Sequence, residues 1–188
     1  GTVWIDLAGS NNGTLVNGPT FSKSNGGSLV FNGVNSFVRV TLPSTTSYNT
    51  FTYNSWIYAT NNSGYRTIID QDNDNWGLYS SNGELVSWDP QFGSGYIFNL
   101  NQWYNAVMSH TDGGPVLFYV NGSLVYTSSN SSTNHTTSYF GIGAGILGPT
   151  NADEFWSGNI SQVSIYNREL TAPEILQNYN ATKGRFGL

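Results

Sequence analysis

Apolar and polar positions alternate along most of this chain in short runs, and turn residues separate the runs. The clearest run covers 51–59. Phe51, Tyr53, Ser55 and Ile57 share one face there, and Thr52, Asn54, Trp56 and Tyr58 share the other. A period of two predicts a β-strand. Aromatic residues on both faces predict that neither face lies bare to solvent. Strands are also predicted at 28–31, 37–40, 66–70, 76–80, 84–88, 103–110, 116–120, 124–127, 139–142 and 159–166. Asn82-Gly83 and Asn121-Gly122 are dipeptides suited to type I′ hairpins, where both central residues take positive φ. Asn32-Gly33 reads as the turn of a further hairpin joining 28–31 to 37–40, and 128–138 reads as a polar surface loop.

One segment breaks the two-residue period. Thr171 stands three residues before Glu174, with Pro173 between them, which is a capping box followed by apolar residues. It predicts a single helix over 171–179. Many short strands and one helix define an all-β fold: a two-sheet antiparallel β-sandwich of jelly-roll type with one short C-terminal helix. At 188 residues the chain fits a single domain, 1–188. It opens on Gly1 rather than Met, so it is expected to be a piece of a longer polypeptide.

Composition narrows the function. Charged residues make up 9% and aromatics 15%, with 12 Tyr and 6 Trp, so the polarity comes from Asn, Ser, Thr and Gly. Flat rings with polar handles suit neutral polar partners. The net charge of −5 and the scattered cations argue against nucleic acid. No apolar run approaches the ~20 residues of a membrane span. Cysteine is absent, which points away from small secreted animal modules and toward a bacterial or viral source.

Several segments carry a family likeness in chain order. They are Trp4-x-Asp6-Leu7-x-Gly9, Gly27-Ser28-Leu29-Val30-Phe31-Asn32-Gly33, Phe51-Thr52-x-x-Ser55-Trp56-Ile57-Tyr58, Trp103-Tyr104-x-Ala106-Val107, and Leu117-Phe118-Tyr119-Val120-Asn121-Gly122. The last is Gly158-x-Ile160-x-x-Val163-x-Ile165-Tyr166-x-Arg168-x-Leu170-Thr171-x-x-Glu174-Ile175. Together they resemble laminin-G-like domains of the concanavalin A-like lectin/glucanase superfamily. Asn121-Gly122 and the run from Leu176 to Arg185 also resemble terminal domains of structural proteins from marine tailed phages. The resemblance implies a sandwich and offers two activities, sugar binding and sugar cleavage, since one fold hosts many functions.

Cleavage in this superfamily uses carboxylates in a Glu-x-Asp-x-x-Glu pattern, which this chain lacks. The expectation is therefore a non-enzymatic carbohydrate-binding or adhesion module, extracellular or on a virion surface. Its partner is a glycan or host-surface polysaccharide. The rival is a virion structural or decoration domain that binds other virion proteins, as a homo-oligomer in one form. Candidate sugar-binding residues are Asp70, Asp72, Asp74, Asn75 and Trp76, where carboxylates and an amide precede a Trp, and a second cluster of Trp88, Asp89 and Tyr96 with Gln91. The competing reading makes the first a solvated loop and Trp88 a core residue.

Calcium is the one cofactor the sequence leaves open. Asp70 to Asp74 lacks the Gly and Glu of an EF-hand, since Asn75 and Ser81 fill those positions, which leaves a looser calcium site with backbone oxygens as the alternative to a solvated polar loop. The family resemblance implies a structural calcium near the chain ends, at positions matching Asp6, Asn32 and Ser161. With two of the three no longer acidic, the remaining candidate ligands are Asp6, Asn11, Asn12 and Asn32. His110 and His135 are solitary and read as ordinary strand or loop residues.

Overall fold

The computed structural model describes residues 1–72, 76–88, 90–132 and 135–188. The strands in chain order are β1 Val3–Trp4, β2 Gly13–Val16, β3 Thr20–Ser22, β4 Ser28–Asn32, β5 Phe37–Thr46, β6 Phe51–Ala59, β7 Tyr65–Gln71, β8 Gly77–Ser81 and β9 Glu84–Trp88. They continue as β10 Gly93–Ile97, β11 Trp103–His110, β12 Pro115–Val120, β13 Ser123–Asn130, β14 Thr137–Ile142, β15 Gly145–Ile146, β16 Ala152–Asp153 and β17 Ser157–Tyr166. Helix α1, Ala172–Thr182, follows, and a 3₁₀ turn at Lys183–Phe186 ends the chain.

Two antiparallel sheets face each other. One runs β1-β2-β5-β14-β7-β8-β9-β10 and the other β13-β12-β11-β6-β17-β4-β3. Alternate residues turn inward between them. On β6 these are Phe51, Tyr53 and Ile57, and on β11 they are Tyr104, Ala106 and Met108. Phe118, Phe140, Trp156 and Ile160 complete the same core. The other parity of β6 and β11 faces α1, where Val107, Tyr119, Leu170 and Ile175 form a second apolar cluster. The loop carrying β15 and β16 covers part of the opposite face, where its Ala144 and Ile146 pack with Phe37 of β5 in a third buried cluster. Both outer faces are therefore partly occupied, and on β6 the second face is covered, as the aromatic residues on both faces of 51–59 predict.

The helix starts where its cap predicts. The Thr171 backbone N–H and hydroxyl both donate to Glu174 Oε2, at 2.8 and 2.9 Å. Arg168 forks onto the same carboxylate at 2.8 and 3.1 Å. Hydrogen bonds from Arg168 and Thr171 hold Glu174 down at a pKa of about 2. The helix runs past the predicted end at 179, because Lys183 extends helical dihedrals into the 3₁₀ turn. Both Asn-Gly turns take positive φ at each residue, 50° and 87° at Asn82 and Gly83, 51° and 78° at Asn121 and Gly122.

Two sequence expectations are corrected. Strands β4 and β5 do not form a hairpin, because they lie in different sheets. Asn32 builds a corner instead: its Oδ1 accepts the N–H groups of Val34, Asn35 and Ser36 at 2.9, 3.0 and 3.1 Å. A side chain that mimics a backbone turn in this way redirects the chain rather than returning it. The expected loop over 128–138 is also shorter, since β13 continues to Asn130 and Ser128 is buried, its Oγ accepting from the Val116 N–H.

Candidate functional site

The described members of the first predicted sugar-binding cluster, Asp70, Asp72 and Trp76, are buried. Trp76 is 0% exposed, so no sugar can stack on it. Its ring lies 4.5 Å from His110 and 5.4 Å from Phe51, centroid to centroid. It shares the inward parity of Leu78 at the entry to β8 and fills the sandwich interior. Asp70 is buried as well. A bulge in β7 between Thr67 and Ile69 sends Ile68 and Ile69 both into the core and turns Asp70 to the outer face. There its carboxylate accepts the Tyr79 hydroxyl at 2.6 Å and the Ile146 N–H at 2.9 Å, which ties the covering loop to the sheet. Asp72 accepts from the Thr137 hydroxyl at 2.6 Å and the Ser138 N–H at 3.2 Å, so it anchors β14. Asp74, Asn75 and Asp89 lie outside the described residues.

The second predicted cluster divides. Trp88 is half-buried and meets Tyr65 edge-on at 5.5 Å, while Gln91 Nε2 donates to the Tyr65 hydroxyl at 2.6 Å. Tyr96 instead packs on the core and meets Tyr104 at 6.2 Å. The irregular β9–β10 register between Gly93 and Ile97 separates them.

The expected calcium ligands take part in a network of backbone hydrogen bonds. The Asp6 carboxylate accepts the N–H groups of Ala8, Gly9 and Asn11 at 2.9–3.0 Å, and these bonds hold its pKa below the usual value. Asn12 Oδ1 accepts the Asp6 N–H at 2.8 Å, Asn11 contributes its N–H to the same knot, and Asn32 Oδ1 is taken by its corner. Among the described residues, no group of three or more His, Cys, Asp or Glu side chains is placed to hold a metal ion.

A different place in the fold has the features of a site. Trp103 and Tyr58 are cross-strand partners on β11 and β6, on the outward parity, with ring centroids 5.5 Å apart. The 3₁₀ turn after α1 delivers Phe186, which stacks on buried Trp56 at 4.0 Å and meets Trp103 at 4.7 Å. Trp56 is itself held between Phe186 and Tyr179, and its indole N–H donates to Thr182 Oγ1 at 3.0 Å. That stack fixes the wall of a cleft of about 310 Å³ lined by Tyr58, Asn101, Gln102, Trp103, Tyr104, Asn121, Phe186 and Leu188.

The amides at its rim are positioned by turns. Asn101 and Asn121 both sit at positive φ, 60° and 51°, in the connection preceding β11 and the β12–β13 hairpin. Asn121 Oδ1 accepts the Asn105 N–H at 2.9 Å, which leaves its Nδ2 facing away from that bond. The Tyr104 hydroxyl donates to Gln102 Oε1 at 3.0 Å, so the Gln102 amide nitrogen is presented on its far side. Aromatic faces beside amide donors suit the C–H faces and hydroxyls of a neutral sugar. Sequence reasoning singled out Trp103 and Tyr58 only as fold markers. Their pairing depends on the β6–β11 register, and Phe186 reaches them from far along the chain, 83 positions after Trp103 and 128 after Tyr58.

A two-sheet sandwich with a ring-and-amide cleft defines a lectin-like class of domain. The chain belongs to the Laminin_G_3 family of the concanavalin A-like lectin/glucanases superfamily, whose profile matches residues 32–176. Among solved structures, it is similar to the binding domain of botulinum neurotoxin DC in complex with SialylT. That match has a TM-score of 0.71 at 14% identity over 96% of this chain and 50% of that one. The receptor binding domain of the botulinum neurotoxin C/D mosaic serotype matches with a TM-score of 0.71 at 18% identity, over 95% and 50%. Botulinum neurotoxin type C, whose cell entry depends on interaction with two ganglioside molecules, matches with a TM-score of 0.70 at 16% identity, over 95% and 48%. The chain spans about half the length of these neighbours, and at such identities the likeness shows the fold alone. No curated protein matches the sequence. Among the described residues, no helix is long and apolar enough to cross a membrane.

Proposed function

We propose that this domain is a non-catalytic carbohydrate-binding module that takes a neutral sugar in the Trp103 cleft. One observation carries the reading: every side chain lining the cleft is aromatic, amide or aliphatic. Stacking on Trp103 and Tyr58 supplies affinity, and Asn101, Gln102 and Asn121 supply hydroxyl recognition. The ligands of the botulinum neighbours, SialylT and gangliosides, support a glycan-facing role for this fold. The module acts outside the cell or on a virion surface, as an adhesion domain of a larger assembly. The calcium-free form of the reading is the one taken here, since side-chain oxygens of Asp6, Asn12 and Asn32 already accept backbone N–H groups.

A glycan array with the wild type and Trp103→Ala, each with calcium and with chelator, tests this. Loss of a central aromatic anchor costs about 2 kcal/mol, or about 30-fold in affinity. Gln102→Ala, at an exposed position, checks that a loss does not come from unfolding. An array without hits, or hits that survive both substitutions, would overturn the reading. Hits lost in chelator would overturn its calcium-free form.

A second reading, docking of protein rather than sugar, draws on the first strand and the loop after it. Val3, Ile5 and Leu7 are 52, 66 and 97% exposed on an edge strand and an Asp6-ordered loop. Light scattering across a concentration series tests self-association through this edge.

A further inference from the structure

The chain has four arginines, and three are satisfied by protein acceptors. Arg66 donates to the Gly33 and Phe155 carbonyls, Arg168 to Glu174, and Arg185 to the Gly26 carbonyl and Gln162. Arg39 is the exception. Its Nε and Nη2 are closed off from solvent with no hydrogen-bond acceptor among the described residues, and the side chain is only half-buried overall, so Nη1 is its route outward. Its guanidinium is held between two rings, 5.2 Å from the centre of Phe37 and 6.0 Å from that of Tyr139. Rings attract the cation but supply no lone pairs for its N–H groups.

The strand register explains the vacancy of charge. Across the outer face, Arg39 pairs with Thr14 on one side and Gly141 on the other, and Gly141 pairs in turn with Asp70. A glycine therefore separates Arg39 from Asp70, whose carboxylate already serves Tyr79 and Ile146. The covering loop packs on Gly141, where an added Cβ would lie 2.3 Å from the Ala144 carbonyl oxygen. The loop walls one side of Arg39, and exposed Thr14 and Thr41 with half-buried Tyr139 border the rest. A guanidinium kept in place by rings, with Nη1 turned outward and hydroxyls at its border, is matched to an oxyanion that approaches Nη1.

We propose that Arg39, with Thr14 and Tyr139 beside it, binds the acidic group of a saccharide, a carboxylate or a sulfate ester. The saccharide part of this assignment rests on the carbohydrate-binding reading above, but the site lies on the opposite sheet from the Trp103 cleft. The domain then grips an acidic polysaccharide at two separate faces, one reading rings and hydroxyls and the other reading charge.

The test is a two-dimensional NMR titration of the whole chain with sodium sulfate, sodium acetate, trigalacturonate and neutral maltotriose. The expected result is movement of the Thr14, Arg39 and Gly141 amide signals with trigalacturonate. The bare anions move the same signals more weakly, and maltotriose leaves them in place. Arg39→Gln weakens trigalacturonate at least tenfold while the rest of its spectrum stays dispersed, and Arg39→Lys retains part of the binding. Unmoved signals with every anion, or equal shifts in Arg39→Gln, would overturn the site. If bare anions bind as tightly as trigalacturonate, the anion site stands and its saccharide assignment falls. Maltotriose shifts confined to Trp103 would support the cleft independently.

Discussion

Replacing Trp76 by Phe and by Ala separates a core residue from a sugar platform. Trp76 is fully enclosed, and its indole N–H has no acceptor in the described structure. Truncation to Ala removes the whole ring between Phe51 and His110, a change that costs ~3–5 kcal/mol. Against a domain stability of ~5–15 kcal/mol, that is a large share. Phe keeps the six-membered ring and removes the unpaired donor. Its smaller volume leaves a gap that costs roughly 1–2 kcal/mol, and losing an unsatisfied buried N–H returns ~1–3 kcal/mol. The two effects nearly cancel, so Trp76→Phe should fall within ~1 kcal/mol of wild type. Urea unfolding followed by far-UV circular dichroism measures both, with m held equal across variants. Folded Trp76→Phe should retain all glycan binding. A Phe variant destabilised as much as the Ala variant would mean that the indole N–H is paired and the accounting is wrong. A well-folded Phe variant without glycan binding would return Trp76 to the site.

Three more predictions follow from geometry and charge. Gly158 sits at φ +128° in β17, and an added Cβ would lie 2.1 Å from the Tyr58 carbonyl oxygen. Gly158→Ala should cost more than ~3 kcal/mol in the same unfolding assay, and near-neutral behaviour would refute the contact. His110 is buried against Trp76 and its pKa is lowered, chiefly by burial. The unfolded chain then binds the proton more readily, so stability is complete above the ordinary histidine pKa of about 6.5 and declines as pH falls below it. His110→Gln should flatten that decline between pH 6.5 and 5. Glu174 has a folded pKa of about 2 against an ordinary 4.5, so its contribution is present above pH 4.5 and lost as pH falls toward 2. Glu174→Gln should remove that acid-side slope and shorten the helix measured by circular dichroism.

The local rules were legible and the long-range ones were not. Asn82-Gly83, Asn121-Gly122 and the Thr171–Glu174 cap each determine their own few residues, and each forms as predicted. Alternation over 51–59 fixed which residues face the core, because parity survives any choice of partner strand. Asn32-Gly33 misled because the same dipeptide serves a hairpin or a corner, and Asn32 Oδ1 chose the corner by capturing three backbone amides. Asp70, Asp72 and Trp76 looked like a ligand loop because sequence shows residue types without burial. Only the β7 bulge and the loop at Ile146 reveal that these groups face protein. The Trp103 cleft was hidden for a related reason: its walls come from β6, β11, the β12–β13 turn and the end of the chain, and no local pattern joins them.

Strand β17 lies between β6 and β4 in the middle of its sheet. It is nonetheless the last strand to leave the ribosome. Its partner β6 ends roughly a hundred residues earlier, which at ribosomal speeds of ~5–20 residues per second is ~5–20 s of synthesis. Until Ser157–Tyr166 appears, the neighbouring edges of β4 and β6 have no partner strand between them, and the sandwich cannot close around Trp156 and Ile160. Nascent chains of this domain are thus open to edge-to-edge pairing for most of their synthesis, most acutely where many copies are made side by side. Slowing translation before residue 157 should raise the aggregated fraction, and supplying a peptide of the β17 sequence should lower it.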